Sequence, residues 1–165
     1  MSDRELLRGL YVITPDDPDF DSVFYRTAAA IGGGARIVQY RRKSVELQAR
    51  PAEASRLVEL CHANGAILVV NDDPRLAAEV GADGVHLGRD DGSVAEARAV
   101  LGGRAVVGVS CYDRLALALD GERNRADYVA FGSFFPSSVK PGAVRPPFAL
   151  ISERSEERRV GKECA

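Results

Sequence analysis

Short aliphatic runs recur along the chain, each followed by a longer stretch with helical spacing. "GLYVIT" (9–14), "ARIVQYR" (35–41), "AILVVN" (66–71), "GVHLG" (84–88), "AVVGVS" (105–110) and "YVAFGS" (128–133) predict six strands. Between them "DFDSVFYRTAAAI", "SVELQARPAEASRLVELCHANG", "DPRLAAEVG", "SVAEARAVLG" and "YDRLALALDGERN" predict helices, and another is expected from near Pro147. Local signals mark the ends. Asp19 or Asp21 suits the first N-cap, Asp73 the cap before Pro74, and Ser93 the cap of the fourth helix. Pro51 breaks or restarts the second helix, and Asn64-Gly65 ends it. Strands rich in Val, Ile and Leu, joined by helices, mean a parallel sheet buried on both faces.

"GARIVQYR", "GADGVHLGR" and "RADYVAFGS" share an alanine before a strand that runs into polar or glycine residues. The alanines, Ala35, Ala82 and Ala126, lie 47 and 44 residues apart, and each interval holds two βα units. Short, regular units favour a (β/α)8 barrel of the TIM type over a doubly wound open sheet. Six units cannot close eight strands, so an incomplete barrel is expected.

From Ser152 the composition turns abruptly to "SERSEERRVGKECA". Periodicity alone accepts a charged, solvated helix end. Arg154 to Cys164, however, resembles the direct translation of a widely used sequencing-adapter oligonucleotide. The expected organisation is therefore a partial barrel over 1–151 and a non-native tail over 152–165.

Composition narrows the class of protein. The chain has 165 residues and a formal net charge of −2, without the basic excess of a general nucleic-acid surface. No apolar run approaches a membrane span, and "MSDRELLRG" lacks the apolar core of a secretion signal, so a cytoplasmic protein is expected. Cys61, Cys111 and Cys164 have no metal-type spacing and read as packing residues.

In parallel α/β folds reactive groups gather at the C-terminal ends of strands. Those ends carry Gln39, Tyr40, Arg41, Arg42 and Lys43; Asn71, Asp72 and Asp73; Arg89, Asp90 and Asp91; Ser110; and Ser137, Ser138 and Lys140. Asp72 and Asp91 suit Mg²⁺, which takes carboxylates plus phosphate oxygens and water. Arg41, Lys43 and Lys140 suit a phosphate. Ser110, Ser137, Asn71 and Gln39 suit orientation, and together these groups describe a Mg²⁺–diphosphate site. Each has a plainer reading. Asp73 is better explained as a cap, "GRDDGS" as a polar loop, "RRK" as a solvated basic cluster, and "PSSVKPG" as a turn. Gln39 could bond within the barrel, and His86 reads as a satisfied core side chain.

"GLYVITPD", "GGARIVQYRRK", "VVNDD", "GADGVHLGRDD", "VVGVS" and "DYVAFGSFFPSSVK", in this order, resemble the thiamine phosphate synthase family over about residues 8–151. The resemblance implies a Mg²⁺-dependent (β/α)8 barrel that joins 4-amino-2-methyl-5-hydroxymethylpyrimidine diphosphate to thiazole phosphate. It further implies that Gln39 to Lys43 and Asn71 hold the pyrimidine diphosphate and that Asp72 and Asp91 ligate Mg²⁺. Ser110 would contact the pyrimidine and Lys140 the diphosphate. The family's pair of threonines in the sixth loop falls on Ser137 and Val139, beside Ser138, and valine offers only backbone groups. Arg41, Lys43, Ser110 and Lys140 are the expected catalytic set, with no protein nucleophile. The partners implied are small molecules, not nucleic acid or membrane, with a homo-oligomer left open.

The family's glycine-rich segments after strands seven and eight have no counterpart here, so an inactive or poorly folded chain is expected. A thiazole tautomerase-like barrel and a non-catalytic phosphate-binding paralogue remain as alternatives. A signalling receiver domain is the alternative from another class, since it also combines acids, Mg²⁺, a strand-end hydroxyl and a lysine.

Overall fold

The computed structural model describes residues 7–135 and 145–150. Strands and helices alternate: β1 (Leu10–Ile13), α1 (Phe20–Gly32), β2 (Ala35–Tyr40), α2 (Arg50–Ala63), β3 (Ile67–Asn71), α3 (Pro74–Val80), β4 (Gly84–Leu87), α4 (Val94–Leu101), β5 (Val106–Tyr112), α5 (Leu115–Arg123) and β6 (Tyr128–Phe131). Ala149 and Leu150, the last described residues, are again helical. All five strand pairings are parallel, in the order β1-β2-β3-β4-β5-β6.

That order decides between architectures. A flavodoxin-like receiver needs the order 2-1-3-4-5, so the receiver reading is overturned. Consecutive right-handed crossovers put every helix on one face and bend the sheet around the other. Laid flat, β1 and β6 would stand roughly 24 Å apart, at about 4.8 Å per strand. Yet the Tyr11 and Tyr128 hydroxyls, one from each of these strands, are 2.9 Å apart. The sheet is therefore a curled half-barrel. The expected TIM-type architecture holds, with six strands among the described residues.

Strand periodicity sorts the side chains into an outer and an inner layer. Val38, Tyr40, Leu68 and Val70 face outward, in one cluster with Ala54, Leu57, Val58 and Cys61 of α2 and with Leu76 and Ala77 of α3. Val85, Leu87 and Val107 do the same against Val94 and Ala97 of α4. Ile37, Ile67, Val69 and Val106 pack inside, beside Tyr11 and Tyr128. Cys61 and Cys111 are buried, and burial, then the Asp83 charge, push Cys61 up to about 12. That fits packing residues; Cys164 lies outside the described residues.

Caps follow the local chemistry. Asp19 accepts from Asp21 N at α1, Asp73 from Arg75 N and Leu76 N at α3, and Ser93 with Glu96 forms a reciprocal capping box at α4. The second helix starts at Arg50, not at Ser44 as expected. Pro51 occupies its first turn, where a missing N–H costs nothing, so the proline starts this helix. Ser44 turns away and bonds Asp16 through both its N–H and its hydroxyl.

Two of the three repeats, those at Ala82 and Ala126, share a structural cause. Asp83, just before β4, accepts Leu68 N of β3 at 2.8 Å. Asp127, just before β6, accepts Val107 N of β5 at 2.7 Å and pairs with Arg98. Each carboxylate accepts from the N–H of the second residue of a neighbouring strand. Asp127→Ala is expected to cost about 1–3 kcal/mol, the penalty for a buried donor left unpaired. Urea unfolding with an unchanged slope would measure it.

Candidate active site

Asn71, Asp72 and Asp73 end β3 with three polar side chains, and each goes a different way. Asn71 continues the strand and lines a pocket at the strand ends. Asp73 turns back to cap α3. Asp72 sits between them with φ of 67°, a left-handed conformation that aspartate adopts more readily than most residues. Strict alternation would send Asp72 to the outer layer. The left-handed turn puts it at the pocket instead, with its N–H on His86 O at 2.8 Å.

β4 delivers the second acid. Asp91 Oδ2 accepts from Gly88 N at 2.8 Å, which folds the loop back over the strand end. A Cβ added at Gly88 would lie 2.6 Å from Asp91 Oδ2 and 3.8 Å from Asp72 Oδ1, so both carboxylates face the same small space. The two carboxyl groups are near enough for each to perturb the other's ionisation. Lys43 Nζ reaches Asp72 Oδ2 at 2.9 Å.

The pair titrates as one unit. Burial alone would raise Asp72, but hydrogen bonds from Lys43, Asp91 and Asn71 and the Lys43 charge outweigh it and hold Asp72 below the ordinary carboxylate range. Burial first, then the hydrogen bond to Asp72 and its negative charge, hold Asp91 above that range. Two adjacent acids beside one lysine have the chemistry of a divalent oxygen site. Among the described residues no group of three or more His, Cys, Asp or Glu side chains could cage a metal. Two protein carboxylates, with the remaining positions left for phosphate oxygens and water, suit Mg²⁺.

Arg41 completes the wall. Its N–H donates to Thr14 Oγ1 at 2.8 Å, and the same hydroxyl donates back to Arg41 O at 3.3 Å, so β1 holds the backbone beneath this cation. Ser110 of β5 also lines the pocket. The structure thus brings together Arg41, Lys43, Asn71, Asp72, Asp91 and Ser110.

Other expected site residues lie elsewhere. Tyr40 and Arg42 follow the outward phase of β2 and leave the pocket. Tyr40 OH donates to Glu53 Oε2 at 2.8 Å, and Arg42 Nη2 to Glu53 Oε1 at 3.0 Å. Burial and the Glu53 contact hold the Tyr40 phenol well above its ordinary range. Both belong to a buried cluster under α2 and, contrary to the expectation that they hold substrate, do not line this pocket. Gln39 faces inward, but below the pocket, with Nε2 on Tyr11 OH at 2.8 Å. Ser137, Ser138, Val139 and Lys140 lie outside the described residues.

The pocket also holds Arg89 and Asp90, which the strand-end reading places at the mouth without a role, and Gly88 and Tyr112, which it leaves out. The Tyr112 ring lies under the Arg89 guanidinium at 5.0 Å, and its OH accepts from Arg89 N at 3.3 Å. Its register with β6 shifts after Ser110, and its φ is 55°, so the bulge swings the ring to the mouth. Gly88 matters by what it lacks. Gly88→Ala is expected to push Asp91 aside and weaken divalent-cation affinity about 10–100-fold, as loss of a supporting contact does, with little change in stability. Calorimetric titration with Mg²⁺ checks it.

A family model described as thiamine monophosphate synthase matches residues 10–160. The chain is 52% identical over 153 residues to the thiamine-phosphate synthase of Thioalkalivibrio sulfidiphilus, covering 92% of this chain and 72% of that relative. It is 55% identical over 153 residues to the thiamine-phosphate synthase of Methylococcus capsulatus, covering 93% and 68%. Among solved structures, the thiamine phosphate pyrophosphorylase of Pyrococcus furiosus superposes with a TM-score of 0.78 at 29% identity, over 95% of this chain and 73% of that one. With the half-barrel and its strand-end pocket, these matches show that the chain belongs to the thiamine monophosphate synthase family.

Proposed function

We propose that this chain is a thiamine-phosphate synthase, a transferase that couples 4-amino-2-methyl-5-hydroxymethylpyrimidine diphosphate to thiazole phosphate and releases diphosphate. One observation carries the reading. Asp72 and Asp91 lie side by side at one mouth, with Lys43 on Asp72 and Arg41 in the same wall. A tautomerase acting on thiazole phosphate alone has no diphosphate to activate and no use for that combination.

Asp72 and Asp91 would hold Mg²⁺, which when bound supplies positive charge to a departing diphosphate. Arg41 and Lys43 add fixed positive charge where negative charge grows on the leaving group, and Lys140 joins them in this reading. Asn71 and Ser110 orient the pyrimidine, whose amino group stabilises the carbocation left at the methylene carbon. The thiazole nitrogen attacks that carbon, so a C–O bond breaks, a C–N bond forms and the electron pair leaves with diphosphate. No protein nucleophile takes part; positioning and electrostatics carry the reaction.

The test supplies both substrates and Mg²⁺ to the purified chain and follows thiamine phosphate and diphosphate together. Formation of both in equal amounts supports the reading. Turnover of thiazole phosphate without the pyrimidine would replace it with the tautomerase-like alternative, and binding without any product would leave a non-catalytic phosphate-binding protein. Among the described residues no helix is long and apolar enough to cross a membrane.

A further inference from the structure

A chain of hydrogen bonds runs inside the half-barrel beneath the pocket. Gln39 Nε2 donates to Tyr11 OH at 2.8 Å, and Tyr11 OH lies 2.9 Å from Tyr128 OH. Tyr128 OH lies 2.9 Å from His86 Nδ1, and His86 Nε2 lies 2.8 Å from Ser110 Oγ. The chain joins β2, β1, β6, β4 and β5 in turn. It ends on a hydroxyl in the wall of the pocket.

The fold makes room for it deliberately. A Cβ at Gly108 would fall 2.0 Å from Tyr128 Cζ, so only a glycine there lets the tyrosine lie across the inner face. The Tyr128 ring then stacks on His86 at 5.6 Å between centroids and meets Tyr11 edge-on at 5.9 Å. Gln39 and His86 are 3% and 7% exposed, where a polar group needs its partners.

The first link sets Tyr11 as an acceptor, and one direction of the remaining links continues from it. An amide nitrogen can only donate, so Tyr11 oxygen accepts from Gln39 and its proton is available to Tyr128. With Tyr11 as the donor to Tyr128, the Tyr128 proton goes to His86 Nδ1. A neutral imidazole that accepts at Nδ1 carries its proton on Nε2 and gives it to Ser110 Oγ. The serine oxygen, occupied as an acceptor from below, turns its own proton toward the pocket.

We propose that His86 is a positioning residue that fixes Ser110 as a hydrogen-bond donor to an acceptor atom of the bound ligand, through a one-way chain of hydrogen bonds from Gln39. The identity of that acceptor, a pyrimidine nitrogen, rests on the function proposed above; the direction of the chain does not. Reversed, the same atoms would make Ser110 an acceptor, and the site would select a ligand with a donor there instead.

Nitrogen-15 spectra of the unliganded chain test the direction without substrate. It has two histidines, and His62, exposed and bonded to Asp83, is assigned by its loss in His62→Ala. The expected result at neutral pH is a single His86 tautomer with the proton on Nε2, which becomes a mixture in Tyr128→Phe. A proton on Nδ1, an imidazolium, or a mixture in the unaltered chain would overturn the proposal. In the coupling assay His86→Leu is expected to lower kcat about tenfold, one hydrogen bond's worth, while His86→Gln, whose amide can still donate to Ser110, keeps most of it. In a Ser110→Ala background the His86→Leu loss should vanish. Losses that multiply instead would overturn the positioning role. Absence of coupling in the unaltered chain would sink the proposed function and leave the tautomer result standing.

Discussion

Arg42→Leu is expected to destabilise the protein by about 3–5 kcal/mol, the cost of leaving one partner of a buried ion pair uncompensated. The Arg42 side chain is 1% exposed, Glu53 accepts from it at 3.0 Å, and Tyr40 OH donates to the other carboxylate oxygen. Arg42 also donates to Asp17 O, so its loss frees the loop after β1 as well. Against a total stability of about 5–15 kcal/mol that is a large share. The double variant Arg42→Leu/Glu53→Leu should recover much of it, because no charge is then left buried alone. Denaturant unfolding of both variants measures this. Loss of substrate affinity at unchanged stability would restore Arg42 to the phosphate clamp that its place in "QYRRK" suggests.

That cluster shows what the sequence makes legible and what it does not. The six strands, their parallel order and the barrel type follow from aliphatic runs at regular spacing, because burial on both faces leaves those runs little alternative. Which members of "QYRRK" reach the mouth depends on the phase of the strand, a period of two that splits the five residues into two sets. Gln39 and Arg41 fall on one side, Tyr40 and Arg42 on the other. Glu53 held the complementary clue, an acid on the same face of α2 as Ala54, Leu57 and Cys61. Tyr112 was harder to find. Nothing local announces that β5 continues two residues past Ser110, or that a bulge there turns an aromatic ring toward Asp91. The Gln39-to-Ser110 chain was hidden for a related reason. Its five members come from five strands, and only the curl of the sheet brings them together.

Asp91→Asn is expected to separate function from stability. A divalent cation needs Asp91 ionised, so metal affinity should fall as pH drops through the raised pKa of Asp91, above the usual aspartate range of about 4. Linkage gives the metal-free chain two opposite contributions. Asp72, lowered by Lys43 and its neighbours, adds stability above its unfolded pKa that is lost as pH falls through its folded value. Asp91, raised by burial and by Asp72, favours the fold while protonated, and that contribution is lost as pH rises through its folded value. At neutral pH the amide therefore removes a carboxylate that the fold holds at a cost, and the metal-free variant should melt no lower than the parent. Its Mg²⁺ affinity should fall about a hundredfold, and coupling should drop about 10²–10³-fold, the scale on which loss of one charge-stabilising group is felt. Asp72→Asn should lose affinity equally, but it also gives up the contact with Lys43. That lysine is 55% exposed, so little stability goes with it. Melting curves at several pH values, with and without Mg²⁺, separate these effects. If Asp91→Asn kept its Mg²⁺-induced rise in melting temperature, the two carboxylates would not share an ion, and their meeting at the end of β3 and β4 would need another cause.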